Sequence, residues 1–310
     1  MDLQKEINKA DGFKNIELLA KQVVEGFISG MHKSPFHGFS AEFAEHKIYN
    51  QGESTKHIDW KLYAKTDRLY TKRYDEETNL RCHIILDNST SMHYPESADA
   101  TINNLNKIAF SVLASASLMY ILKKQRDAVG LSIYSDNYDF YSSEKGSERH
   151  HQMLLAKLSE SVLNKTFSKT TETYKYLHRI ADKIHRRSLI FVFTDMFQTS
   201  EDDEKIFEAL RHLKFNKHEV VMFHVFDKSK EFTFDFDNRP KRFVDIETGE
   251  TIDLFPDTVK ENYKKMVSQY FKNLKIRCGQ YRIKYVEADI NAGFNQILTT
   301  YMIERQKFYR

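Results

Sequence analysis

Cysteine, proline, glycine and tryptophan are all scarce in this chain of 310 residues: two, four, ten and one. Two cysteines cannot build a disulfide framework and fit a reducing compartment. So few prolines and glycines exclude collagen-like and low-complexity classes. An excess of one charge is missing too. The 47 Lys and Arg against 44 Asp and Glu leave a net +3, too balanced to signal nucleic acid by bulk charge. The most apolar stretch, residues 110–122, carries Ser111, Ser115 and Ser117 and falls short of the roughly 20 residues a membrane helix needs. The opening Met1-Asp2-Leu3-Gln4-Lys5-Glu6 is charged where a signal peptide is apolar. The expectation is a soluble, cytoplasmic protein with no membrane span. What is present is ordinary globular composition, 41% apolar and 29% charged, with 13% aromatics that argue against disorder. Such a length makes one large domain or two small ones and buries enough surface to fold without disulfides or structural metal.

Apolar periodicity divides the chain. Phe13, Ile16, Leu19, Ala20, Val23, Val24 and Phe27 follow helical spacing, and Gly30 is placed to close that helix. Residues 31–60 read as loop with short strands, and Arg68 to Asp75 alternates like a strand. From Leu80 the pattern changes. Short, apolar-rich strands at 83–86, 129–134, 189–193, 220–226 and 285–288 alternate with helical patterns at 101–125, 147–163, 172–186, 201–214, 256–275 and 293–307. Residues 138–141 offer a hairpin partner to the second strand, and 243–254 read as a hairpin turning at 247–250. Apolar strands alternating with amphipathic helices predict an α/β fold with a doubly wound, mostly parallel sheet. Residues 1–79 form an N-terminal helical and β-rich extension packed on a main domain of 80–310, which carries a β-hairpin insertion near 240–255.

In such sheets ligands bind where loops leave the carboxyl ends of the strands. Asp87-Asn88-Ser89-Thr90-Ser91-Met92 follows the first apolar strand, and Thr194-Asp195-Met196 follows another. Asp87, Ser89 and Ser91 alternate along an irregular loop, so their oxygens can converge. Carboxylate and hydroxyl oxygens are hard ligands and suit Mg²⁺, or another divalent cation such as Mn²⁺ or Ca²⁺. The same residues also describe a turn or helix cap. Their place after a buried strand, before a long helix and opposite Asp195, favours ligation.

This arrangement resembles the metal-ion-dependent adhesion site of von Willebrand factor A domains, in which a threonine from a third loop joins the shell. Thr170 and Thr171 are the candidates. Thr171 is favoured because Thr171-Glu172 followed by Leu177 resembles the threonine–acid–leucine spacing of that loop. A broader resemblance spans nearly the whole chain. Residues 37–43 (HGFSAEF), Tyr49-Asn50-Gln51-Gly52-Glu53, Ile58-Asp59-Trp60 and Tyr63-Ala64-Lys65 precede the metal-type loop. Asp127-x-Val129-Gly130-Leu131, Thr194-Asp195 and Glu247-Thr248-Gly249 follow it. This order is similar to the bacterial family known as domain of unknown function 58. Gly52, Glu53, Ile58, Asp59 and Trp60 carry its signature. Glu53-Ser54 stands where the family usually has paired acids, and Lys56-His57 where it often has arginine. The resemblance implies a von Willebrand A-like fold and association with a MoxR-type AAA+ ATPase in assembly or quality control of other proteins.

Phosphate loops, dinucleotide fingerprints, nucleophile elbows and His-Glu-x-x-His are all missing. His178 and His185 lie seven apart without a paired cysteine, which is poor zinc spacing. Basic clusters at 123–126, 185–187 and 239–242 read as solvated helix ends and loops. The expected function is a non-enzymatic, metal-dependent interaction module whose partner offers an Asp or Glu to the metal. A hydrolase using the same site is the alternative. Cys82 reads as a buried strand thiol. Ile58 and Trp60, two apart on a strand-like stretch, are expected to point together into the core. Asp59 then satisfies backbone donors or pairs with Arg68 or Arg73.

Overall fold

The computed structural model describes residues 15–30, 43–48, 58–74, 80–96, 104–135, 139–163, 173–195, 200–245 and 249–308. The chain forms two compact units, residues 31–79 and residues 1–30 with 80–310. The boundary expected at 79/80 therefore has a second one at 30/31, and the first helix stands with the large unit.

That helix, α1 (Ile16–Ser29), buries Ile16, Leu19, Ala20, Val24 and Phe27 on one face. In the small unit, β1 (Phe43–Ile48) pairs antiparallel with β2 (Tyr70–Tyr74), and α2 (Trp60–Thr66) lies between them in sequence. Asp59 is the cap of α2, its carboxylate accepting from the backbone N–H of Lys61 and Leu62 at 3.0 and 3.1 Å. So Asp59 satisfies backbone donors, one of its two expected roles. The shared inward direction of Ile58 and Trp60 is corrected. Ile58 is buried, whereas Trp60 is 62% exposed and meets Tyr63 edge-on. The strand alternation stops at Asp59, where the cap turns extended chain into helix.

The large unit is a six-stranded sheet: β3 (Arg81–Asp87), β4 (Ala128–Tyr134), β5 (Phe140–Lys145), β6 (Leu189–Thr194), β7 (Glu219–Phe226) and β10 (Lys284–Asp289). Its spatial order is β10-β7-β6-β3-β4-β5, and only the β4–β5 pair is antiparallel. The fold is thus α/β with a mostly parallel sheet. The remaining two strands, β8 (Lys241–Val244) and β9 (Thr251–Leu254), form a separate hairpin.

Helices cover both faces. On one side lies α3 (Lys107–Lys124), buried without a break from Lys107 to Met119. It packs against α4 (Glu148–Leu163), α8 (Asn295–Phe308) and α1. A helix apolar all round needs cover all round, and α1 provides the outer part. On the opposite face α5 (Thr173–Ala181), α6 (Ser200–Phe215) and α7 (Pro256–Gln280) close over Ile85, Ile190, Val192 and Met222. Among the described residues no helix is long and apolar enough to cross a membrane. Cys82 and Cys278 are free and buried.

From β3 the chain first adds β4 on one side and later β6 on the other. The crossover directions therefore diverge between β3 and β6, the position at whose carboxyl ends such folds form their ligand crevice. Buried pairing fixes the register. Asp127, at the entry to β4, accepts from the Leu80 N–H at 3.0 Å and from the Arg305 guanidinium of α8.

Gly130 has a steric reason. A Cβ there would stand 2.5 Å from His83 Nδ1 and 2.8 Å from the Ser142 carbonyl oxygen. Gly130→Ala is expected to cost roughly 1–3 kcal/mol by overpacking, read from denaturant unfolding. Trp60→Ala, at an exposed site, should change stability by less than about 1 kcal/mol. A large drop in its melting temperature would restore a core role for Trp60.

Candidate functional site

Two strand ends make the site. Asp87 is the last residue of β3 and Asp195 follows β6 directly. Both are almost wholly buried, at 3% and 2% exposure. Beyond Asp87 the ladder runs one step further, the Asn88 N–H donating to the Tyr134 carbonyl at 2.8 Å. The chain then tightens into a 3₁₀ turn, Thr90–His93, anchored by buried Met92.

One Asp87 oxygen accepts from the Ser89 N–H at 2.9 Å, the other from the Thr194 hydroxyl at 2.7 Å. The hydroxyls of Ser89 and Ser91 meet at 3.1 Å. Asp87, Ser89, Ser91 and Asp195 are therefore gathered at one crevice. Thr170 and Thr171 lie outside the described residues, as do Glu172, Gly52 and Glu53.

The electrostatics of the crevice are adverse to one of its own carboxylates. Burial raises the Asp87 pKa to about 6, the charge of Asp195 adds to the shift, and hydrogen bonds from Thr194 and Ser89 offset part of it. Asp195 has a partner of its own. Lys107, at the start of α3, donates to it at 2.8 Å and to Glu231 at 2.7 Å. Burial works against the Lys107 ammonium, but Asp195 and Glu231 together hold its pKa above the ordinary lysine value. Behind Asp195, His224 bonds the Asp195 carbonyl through Nε2 and the Tyr285 hydroxyl through Nδ1.

Sequence reading missed Lys107 and Glu231. Part of the signal for Lys107 was available: it stands alone at the head of an apolar run whose next cations are Lys123 and Lys124, and the structure puts it in the first turn of α3, where the helix dipole disfavours positive charge. Glu231 lies in a π-helical turn, Lys228–Phe232, which no spacing rule marks.

Among the described residues the histidines meet at most in a pair. His178 meets His212 at 3.1 Å, while His185 meets Glu144 at 3.0 Å. Among the described residues no three or more His, Cys, Asp or Glu are grouped to hold a metal.

A second polar group has the distances of a hydrolytic relay. Ser132 Oγ lies 2.7 Å from His83 Nε2, and His83 Nδ1 lies 2.6 Å from Glu144 Oε1. Ser132 and His83 are fully buried within the sheet, so no substrate reaches the hydroxyl. The group ties β3, β4 and edge strand β5 together. Burial opposes the Glu144 carboxylate, yet bonds from His83 and His185 hold its pKa below the usual range.

His218, fully buried, accepts from the Ser188 N–H, and burial lowers its pKa to about 4. The unfolded chain therefore binds a proton there before the folded one does, and stability falls as pH drops from 6.5 toward 4. That loss should reach about 3 kcal/mol. His218→Asn should remove that share of the pH dependence, as read from urea midpoints at pH 4, 5, 6 and 7, while His224, whose pKa burial also lowers to about 4, keeps its own share.

Comparison with known proteins identifies a family. Residues 45–271 match the family described as "Protein of unknown function DUF58". The uncharacterized proteins Mb1516 of Mycobacterium bovis and Rv1480 of Mycobacterium tuberculosis are each 25% identical over 85 residues. The matched stretch spans 27% of this chain and 27% of theirs. Among solved structures, an aerotolerance-related membrane protein from Bacteroides fragilis, crystallised with multiple mutations to serines, aligns with a TM-score of 0.42. It is 15% identical and covers 71% of this chain and 99% of its own.

Proposed function

The chain belongs to the DUF58 family, and from that premise we propose that it is a non-enzymatic, metal-dependent protein-interaction module with a von Willebrand A-like site. Mg²⁺, or Mn²⁺ or Ca²⁺ in its place, is held by Asp87, Ser89 and Ser91, with Asp195 across the crevice and Thr171 or Thr170 from the third loop. A partner's Asp or Glu completes the shell, and a MoxR-type AAA+ ATPase is the associated machine.

The observation that carries the reading is the 3.1 Å between the Ser89 and Ser91 hydroxyls. Adjacent ligands of an octahedral ion with bonds of about 2.1 Å stand about 3.0 Å apart. The donor set of hydroxyls and carboxylates suits a hard cation. A positive charge beside Asp87 would also relieve the strain that raises its pKa. The order of the strands, with the ligand loops at the switch point, supports the same reading.

Hydrolytic use of these residues has less support. Activation of water needs a base, and both ring nitrogens of His224 are engaged.

Asp87→Asn keeps the shape of the side chain and removes its charge. Calorimetry should show Mg²⁺ affinity lowered by more than the roughly 10- to 100-fold typical of losing an outer-shell group. Mg²⁺ should raise the melting temperature of the parent and not of the variant. A pull-down from native lysate in Mg²⁺ or EDTA then tests the function. A partner retained by the parent only with Mg²⁺, and lost from Asp87→Asn, fits the proposal. Unchanged Mg²⁺ binding in the variant rejects the site.

A further inference from the structure

Lys107 is a cation already in residence beside the proposed ligands. Its side chain is 1% exposed. Its ammonium lies 2.8 Å from Asp195 Oδ2, 2.7 Å from Glu231 Oε1 and 5.8 Å from the centre of the Tyr94 ring. It sits in the first turn of α3, where the helix dipole is unfavourable to it. The two carboxylates supply the compensation.

We propose that Lys107 sets the cation affinity of the crevice by competing with the divalent ion for Asp195. This rests on the metal reading given above. Two cations drawing on one carboxylate each receive less of its charge, and in a buried site their mutual repulsion is poorly screened. Asp87, whose described hydrogen bonds come from neutral donors, is then the principal anionic anchor, and Asp195 contributes little while the ammonium holds it. The affinity of the crevice is a property of α3 as much as of the ligand loops.

The test is Mn²⁺ alone, titrated by calorimetry into the full chain. Lys107→Met keeps the apolar stem and removes the charge, and should bind Mn²⁺ at least tenfold more tightly than the parent. Removing one partner of a buried pair can unfold a protein. The double variant Lys107→Met/Glu231→Gln therefore removes one charge of each sign, and it too should bind more tightly than the parent. Tighter binding in whichever of the two folds supports the role of Lys107, including the case where only the variant binds measurably. Equal or weaker binding there, with parent binding lost in Asp87→Asn, overturns this inference and leaves the metal reading standing. Failure of the parent and every variant to bind Mn²⁺ overturns both.

Discussion

The buried ammonium of Lys107 joins segments far apart in sequence: the start of α3, the end of β6 and the turn after β7. Charge removed from water is costly unless it is paired with good geometry. Lys107, Asp195 and Glu231 each depend on the others for that pairing. The loop ends at the crevice are consequently held as one electrostatic unit. Asp87, next to this unit, is destabilised chiefly by burial and then by the charge of Asp195, and its hydrogen bonds from Ser89 and Thr194 offset only part of that.

At the opposite end of the strands a different polar group does comparable work. Glu144 receives His83 from the centre of the sheet and His185 from the turn before β6, which pins edge strand β5. Gly130 leaves room for the His83 ring. An antiparallel edge is the part of a sheet most open to pairing with other chains. Here it is fastened by side chains as well as by its ladder with β4.

Much of this was legible before the structure. Buried parallel strands announce themselves as short apolar runs, and the chemistry that follows them had to lie at one rim, so Asp87, Ser89, Ser91 and Asp195 were found together. Trp60 was misread because a two-residue alternation was extended through Asp59, a residue whose side chain more naturally caps a helix. Lys107 was passed over because a single lysine on a helix usually faces solvent. The tertiary cover over α3 buries this one. The partnership of Glu231 with Lys107 spans 124 positions, a distance no local pattern reports.

The docking of α1 has a consequence for how the chain is put together. Its apolar face rests on α3, and Glu17 bonds Lys123 at 2.9 Å, yet the whole small unit intervenes in sequence. The small unit is thus an insertion between a helix and the sheet that helix helps to cover. Closing a longer loop costs only slowly more entropy, so the inserted unit can vary in size with little effect on the stability of the sheet. The penalty falls on time: α1 gains its cover on α3 only after a long-range closure, and topologies rich in such contacts fold slowly.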